Sequence, residues 1–379
     1  MPEPAGIYIH IPFCKQKCAY CNFYSVTDIS LQKAFVKVLL REMELASATD
    51  LCFDTIYIGG GTPSVIPSRH IDQVIRQARQ LFQFHDHVEL TVEVNPGTVN
   101  AADLRDYRTA GVNRLNIGIQ SFDEASLKFL GRIHSGQDSY LTFKNARQQG
   151  FDNIGLDLIY GLPKQTPQQW RYDLQKAIAL EPEHISCYML TIEAGTPMEK
   201  KQRQGSLTPL SEERICELYN IAVRYLCDHG YEQYEISNFA RIGQQRDYRS
   251  VHNSKYWSFT PYIGLGPSAH SYIHPIRSWN CREITDYINI VQKGKLPLED
   301  QERLNRRQQI IETIYVRLRT AEGIDLTQFE KKFGICLTDE FSSLIKLLVK
   351  QGKLICTPSR LALTSEGMLH HNSITLMFI

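Results

Sequence analysis

Three cysteines near the amino terminus have the spacing with the most definite chemistry. Cys14, Cys18 and Cys21 form a CxxxCxxC motif. Three thiolates close together can hold three irons of a cubane cluster, which leaves the fourth iron without a protein ligand and open to another molecule. A zinc site or unrelated buried cysteines are the alternatives, although zinc sites usually have four ligands and two-residue spacings. The motif therefore favours an iron–sulfur cluster with one open position.

A glycine-rich motif ends the second predicted strand. It spans residues 59–64 and has the sequence GGGTPS, which is not a P-loop because no lysine follows it. Residues without side chains let backbone groups approach a ligand closely. Alone, such a turn is a weak indication, but here it follows the cysteines by one strand.

Polar side chains mark the ends of the next three predicted strands. Glu93, Gln120 and Asp157 lie at or near the carboxyl ends of the third, fourth and fifth strands. Barrels of alternating strands and helices place their ligand-binding groups at this edge. Each residue taken singly is equally consistent with a satisfied polar group or a helix cap.

An aromatic segment carries the sequence HNSKYW at residues 252–257. A histidine beside tyrosine and tryptophan can be an axial ligand of haem in an aromatic pocket. From the chemistry alone, however, a histidine packed in the core is the favoured interpretation. The chain has no CxxCH motif, so covalent haem attachment of the c type is not indicated.

The elements that must position these residues alternate between strands and helices. Alternation of this kind indicates parallel strands with right-handed crossovers. Six units are fewer than the eight that close a full barrel of about 250 residues, so we predict an α/β fold with an open, partial (β/α)6 barrel. The predicted strands are residues 6–11, 54–60, 88–95, 114–121, 153–161 and 184–191, with helical periodicity at 31–46, 71–82 and 139–149.

The pattern changes twice after the barrel. A helix over residues 211–230 leads into an aromatic-rich segment, 231–279, that we predict to be strands and loops. Helices at 304–319, 326–333 and 339–351 then precede a strand pair at 353–356 and 360–363, which suggests a winged-helix-like unit. The predicted domains are a barrel at 1–205, an α+β extension at 206–300 and the winged-helix-like unit at 301–379.

Composition limits the partners and the compartment. Lys and Arg number 42 against 41 Asp and Glu, so no overall field attracts nucleic acid or an anionic membrane. The winged-helix-like unit has only 11 basic against 8 acidic residues, and we predict that it docks or packs rather than binds nucleic acid. The start of the chain has no signal-peptide pattern, apolar runs are too short to span a bilayer, and ten cysteines fit reduced thiols. We therefore expect a cytoplasmic protein.

These motifs together resemble the radical S-adenosylmethionine (SAM) superfamily, in which CxxxCxxC has an aromatic residue before its last cysteine and GGGTP follows the second strand. The resemblance implies a [4Fe-4S] cluster on Cys14, Cys18 and Cys21, with SAM chelating the fourth iron. Reduction would then cleave SAM to methionine and a 5′-deoxyadenosyl radical. The SAM site implied by the family consists of Tyr8, Tyr20, Gly60, Gly61, Thr62, Glu93, Gln120, Arg132 and Asp157.

Within that superfamily, HNxxYW resembles the signature of the haem chaperones, which are relatives of the oxygen-independent coproporphyrinogen III oxidase. The match runs from YIHIPFC through LGRIHS and IGLDLIYGLP to the carboxyl-terminal helices. Three features depart from the oxidase. Phe23 stands where the oxidase has a further cysteine, only 13 residues precede Cys14, and HNxxYW is not an oxidase motif.

The resemblance implies a protein that binds haem and transfers it to an acceptor such as a respiratory haem enzyme. His252 is the implied haem ligand, with Tyr256 and Trp257 beside it. An electron donor to the cluster and at most transient membrane contact are further expectations. Coproporphyrinogen oxidation is the main alternative, and a radical SAM reaction on an unrelated small molecule or a nucleic acid is the third.

Overall fold

The computed structural model describes residues 3–243 and 246–378 of the chain. Its core is six parallel strands paired in chain order, which confirms the predicted α/β class and the partial barrel. All seven residues of the fourth strand are buried, as expected for a parallel sheet covered on both faces. The strands are β1 (Ala5–Ile11), β2 (Cys52–Gly60), β3 (Gln83–Val94), β4 (Arg114–Gln120), β5 (Ile154–Tyr160) and β6 (His184–Met189).

Helices connect these strands. They are α1 (Gln32–Ala46), α2 (Ser68–Leu81), α3 (Ala101–Thr109), α4 (Glu124–Leu130), α5 (Gly136–Gln148) and α6 (Pro167–Ala179). Three of them begin with a capping box, in which two side chains satisfy each other's backbone N–H groups and fix the helix start. The pairs are Asn100 with Asp103, Ser135 with Asp138 and Thr166 with Gln169.

The next segment extends both edges of the barrel sheet. β8 pairs antiparallel with β6 and then with β7, whereas β9 joins β1 in parallel and β10, β11 and β12 follow it in antiparallel order. The elements are α7 (Pro197–Arg203), α8 (Glu212–Asp228), β7 (Tyr231–Gln233), β8 (Asn238–Arg241), α9 (Val251–Ser258), β9 (Tyr262–Leu265), β10 (His270–Ile273), β11 (Ile276–Asn280), α10 (Ile284–Gln292) and β12 (Leu298–Arg303).

The prediction of strands and loops at residues 231–279 was wrong at α9, which carries the HNxxYW motif. The helix is only eight residues long, and its His, Asn, Ser, Tyr and Trp residues have middling helix propensity. It forms because tertiary packing and a cap support it. The Ser250 side chain accepts a hydrogen bond from the Asn253 N–H at 3.3 Å.

The carboxyl-terminal unit contains a three-stranded antiparallel sheet ordered β13-β15-β14. The predicted strand pair is confirmed, β13 is additional, and the predicted helix at 339–351 is divided in two at Phe341. The elements are α11 (Arg306–Leu318), β13 (Ile324–Asp325), α12 (Leu326–Phe333), α13 (Leu337–Glu340), α14 (Ser342–Lys350), β14 (Leu354–Cys356), β15 (Arg360–Leu363), α15 (Ser365–Leu369) and α16 (His371–Leu376).

The three predicted domains share one hydrophobic core. Ile9, Leu218 and Leu348, one from each, belong to the same buried cluster. The predicted boundary between residues 300 and 301 falls inside strand β12. The division into three domains remains a prediction. No helix among the described residues is both long and apolar enough to cross a bilayer.

Candidate cluster and cofactor site

A cavity of about 630 Å³ opens at the carboxyl ends of the barrel strands. Its walls bring together all three motif cysteines and eight of the nine residues predicted for the SAM site. The positions are far apart in the chain, and the parallel sheet places them at one edge. The eight are Tyr20, Gly60, Gly61, Thr62, Glu93, Gln120, Arg132 and Asp157.

The cysteine loop follows β1 and is held from both sides. Cys14 is buried, its N–H donates to the Val26 carbonyl at 3.0 Å, and its Sγ lies 3.4 Å from Thr62 Oγ1. Arg132 Nη1 donates to Cys18 Sγ at 3.6 Å, so a positive charge lies beside a sulfur that must be a thiolate to bind iron. Burial raises the pKa of the Cys21 thiol, and the two other thiols raise it further.

The glycine-rich turn lies against this loop. Gly60 has a φ of +112°, and a Cβ there would lie 2.7 Å from the His10 ring. The N–H groups of Gly61 and Thr62 donate to carbonyls of Ile11 and Phe13, each at 2.8 Å. The turn therefore joins the end of β2 to the cysteine loop by backbone contacts that a side chain would block.

Glu93 is a buried carboxyl group on β3. It accepts hydrogen bonds from the Tyr57 hydroxyl at 2.7 Å and from the Gly60 N–H at 3.2 Å. Burial raises the pKa of the Glu93 carboxyl group to about 7, and the neighbouring Asp157 carboxylate adds to the rise, although the two hydrogen bonds lower the pKa. Its charge therefore changes near neutral pH, and a cationic ligand would favour the ionised form.

Several buried polar atoms of this cavity lack a partner. Asn116 Nδ2 donates to one oxygen of Asp157 at 2.7 Å, and burial raises the pKa of that carboxyl group. Within the described part of the chain, Asn116 Oδ1, Asp157 Oδ1 and Arg132 Nε are buried without a hydrogen-bond partner. Unpaired buried groups are costly, and a ligand with hydroxyl and amino groups would satisfy them. The residues present therefore fit SAM.

Two further features mark a binding site. Gln120 has a φ of +71°, a conformation that residues other than glycine seldom adopt and that clusters at functional sites. Arg132 Nη2 donates to Asn95 Oδ1 at 2.6 Å and to the Gly118 carbonyl at 2.7 Å. Asn95 in turn donates from Nδ2 to Thr62 Oγ1 at 2.9 Å, so these bonds connect the loops after β2 and β3 to Arg132 and to the backbone of β4.

Sequence reasoning missed residues of this wall that hold its polar groups in place, among them Tyr57, Asn95 and Asn116. A signal existed for Tyr57 and Asn116. Residues two or four apart on a strand share a face, so Asn116 had to face the same side as Gln120. By the same rule, Tyr57 shares a face with Gly59.

Tyr8 is the one predicted SAM residue that does not line the cavity. Its hydroxyl is hydrogen-bonded to His10 Nδ1 at 3.1 Å, and its ring stacks on Tyr57 with centroids 6.2 Å apart. Burial raises the pKa of its phenol above the usual range. Tyr8 lies deeper in the barrel and supports Tyr57, which holds Glu93.

His252 lies inside the barrel, below Tyr57, and is 1% exposed. Nδ1 is 2.8 Å from Thr55 Oγ1 and Nε2 is 2.9 Å from the Tyr256 hydroxyl, while the ring stacks on Tyr57 at 5.2 Å. Burial lowers its pKa to about 3. Both ring nitrogens are hydrogen-bonded in this conformation, and haem ligation by His252 remains a prediction. The packed core histidine is the arrangement observed.

The other two residues of the motif also lie away from the main cavity. Tyr256 lines a separate cavity of about 260 Å³ together with Tyr262 and Tyr272. The Trp257 ring packs against the Arg319 guanidinium, whose central carbon lies 4.7 Å from the ring centroid. Arg319 Nε also forms a salt bridge with the buried carboxylate of Glu235 at 2.7 Å. The motif thus joins the barrel to α11.

The fold is that of the radical SAM class. A family model described as the Radical SAM superfamily matches residues 8–177, and one described as the HemN C-terminal domain matches residues 304–370. In fold, the chain is similar to the coproporphyrinogen III oxidase HemN of Escherichia coli, a radical SAM enzyme. The TM-score is 0.85 at 24% identity, over 100% of this chain and 90% of that one.

Sequence similarity is greater to another group. The chain is 34% identical to the haem chaperone HemW of Bacillus subtilis over 98% of each chain. It is 33% identical to the haem chaperone HemW of Escherichia coli, over 99% of this chain and 98% of that one. A mouse mitochondrial radical SAM domain-containing protein is 31% identical over 99% of this chain and 87% of that one. The chain belongs to the HemW family.

Proposed function

We propose that this protein is a haem chaperone, which binds haem as cargo and delivers it to a haem-accepting protein. The observation that carries the proposal is the similarity to HemW haem chaperones along nearly the whole chain. Phe23 supports the same conclusion. It is 67% exposed at the cavity wall, at the position where the oxidase resemblance calls for a further cysteine.

We also propose that Cys14, Cys18 and Cys21 hold a [4Fe-4S] cluster and that the eight polar and glycine residues of the cavity wall hold SAM. When bound, the cluster and SAM supply one-electron chemistry. The chain's own residues bind and orient. Glu93 and Asp157 offer carboxylate oxygens, and Arg132 fixes the strand ends beside the cluster loop.

The remaining parts of the proposal concern location and partners. We propose that the protein acts in the cytoplasm, that an electron donor reduces its cluster, and that a respiratory haem protein is one acceptor. Contact with the membrane would be transient, because the nearly balanced charge gives no general attraction to an anionic surface.

The test is an anaerobic titration of the cluster-reconstituted protein with haem, followed by an assay of the same sample for consumption of coproporphyrinogen III with SAM and dithionite. A chaperone binds haem stoichiometrically and leaves the porphyrinogen unchanged. Formation of protoporphyrinogen would instead make the protein an oxidase. Absence of haem binding would overturn the proposal directly.

A further inference from the structure

A second cavity, of about 880 Å³, opens at the opposite end of the barrel from the cysteines. Its walls come from the amino ends of the strands, including Asp54 on β2 and Asn113 before β4, and from Val251 at the start of α9. The volume is within the range of about 300–1,000 Å³ that is typical of cofactor sites. The site described above makes no use of it.

An insertion in β3 shapes this cavity. Phe53 pairs with Phe84 and Thr55 pairs with Glu89, so one residue of β2 stands opposite four residues of β3, 85–88. Bulges of this kind re-aim side chains and are frequent at functional sites. Here the bulge presents the exposed residues His85 and His87 to the cavity.

The cavity joins the groups that haem requires. Haem iron receives four nitrogens from the porphyrin and needs only one or two protein ligands, for which neutral histidine is suited. The porphyrin ring needs apolar walls, and its two propionates pair best with arginine. The cavity has His85 and His87 for the iron, Phe82 and Phe84 for the ring, and Arg79 and Arg246 for the propionates.

We propose that this cavity is the haem site, with His85 or His87 as the axial ligand. The inference rests on the proposed function, because it names where the cargo of a haem chaperone is bound. It also separates the cargo from the SAM site. Tyr57 and His252 are stacked inside the barrel between the two ends.

The cavity offers two arginines to an anionic ligand, and three of its four acidic residues are engaged by other groups. The fourth, Asp86, lies between the two histidines and is exposed to solvent. Asp54 pairs with Lys255 at 2.7 Å, and Asp247 pairs with Arg249 at 2.6 Å. Glu89 accepts the N–H groups that begin α9. Arg246 lies over the Tyr248 ring at 5.4 Å and makes a surface pair with Asp152 at 3.4 Å. A surface pair contributes about 0–1 kcal/mol and can exchange for a propionate.

Helix α9, which carries the HNxxYW motif, forms part of one wall of this cavity. Glu89 accepts hydrogen bonds from the N–H groups of Val251 at 3.1 Å and His252 at 3.0 Å, and both Glu89 and Val251 line the cavity. His252 thus anchors the helix that forms one wall without contacting the ligand. An open cavity with exposed histidine ligands also suits a protein that must release its haem.

The test uses the full-length, cluster-reconstituted chain titrated anaerobically with haemin and with dithionite-reduced haem. The variants are the double substitutions His85→Ala with His87→Ala and Arg79→Glu with Arg246→Glu. The matched control is the double substitution His70→Ala with His229→Ala. His70 lies on α2, His229 lies at the end of α8, and neither lines the cavity. Cluster absorbance and SAM affinity report on the fold of every variant.

We expect the histidine double variant to lose at least tenfold in haem affinity together with the spectrum of a histidine-ligated iron, and added imidazole to restore that spectrum. The arginine variant should bind more weakly with its axial ligation unchanged, and the control should match the parent. Unchanged affinity and spectrum in the histidine variant would overturn the assignment of this cavity while leaving the chaperone proposal intact. A parent protein that binds no haem would overturn both.

Discussion

At the residue scale, Glu93 carries a carboxyl group of the cavity wall whose pKa lies near neutrality. Its pKa of about 7 results from burial, opposed by hydrogen bonds from Tyr57 and Gly60. Asp157 faces it with a carboxyl group whose pKa burial also raises, and Arg132 supplies the nearby positive charge. Below pH 7 the protonated Glu93 offers a cationic ligand less attraction.

Affinity for SAM should therefore rise with pH. We expect about a tenfold gain from pH 6 to pH 8 that is attributable to Glu93, because the ionised fraction of a group with a pKa near 7 changes by about that factor. Calorimetric titration with SAM measures it. Glu93→Gln removes this component, and titration of SAM itself is common to both proteins. Parallel pH profiles for the parent and Glu93→Gln would contradict the role assigned to Glu93.

At the scale of elements, α9 fills the lower part of the barrel. It places His252 against Thr55 and Tyr57, and Tyr57 carries the support on to Glu93. A buried neutral histidine makes folding sensitive to acid, because the unfolded chain takes up a proton that the folded chain does not. The pKa of about 3 means that this stabilisation is present above about pH 6.5 and is lost as the pH falls toward 3.

The burial of His252 gives a prediction for how the free energy of unfolding changes with pH. Between about pH 5.5 and 4.5, His252→Asn should reduce the change of unfolding free energy with pH by about 1.3 kcal/mol per pH unit, the contribution of nearly one proton. Urea denaturation at several pH values measures it. Substitution of the exposed His229 by Asn is the matched control for removing a histidine from the surface. A slope that His252→Asn does not alter would show that His252 is accessible to protons in the folded state.

The sequence predicted the elements that follow from local patterns. The barrel strands contain short apolar, β-branched runs, and polar residues at their carboxyl ends correctly indicated where Glu93 and Gln120 would meet the cysteines. The helix α9 was missed because its packing, not its propensity, stabilises it. The bulge that holds His85 and His87 depends on the register between β2 and β3, which no local pattern specifies.

At the scale of the whole molecule, a cavity opens at each end of the barrel among the described residues. The cysteines and the SAM residues belong to the carboxyl end, and the histidine pair of the bulge belongs to the amino end. The packed layer that includes Tyr8, Tyr57 and His252 lies between them. A chain built this way can hold its cofactors and its cargo at once.

The separation of the haem and SAM sites is tested most sharply by an anaerobic haem titration of the cluster-reconstituted protein with and without saturating SAM. We expect one haem per chain, with a Kd that changes by less than about twofold when SAM is present, because two sites without shared contacts have little coupling free energy. Retained SAM should be measured in the same sample. Haem that displaces SAM, or SAM that prevents haem binding, would contradict the separation of cargo and cofactor.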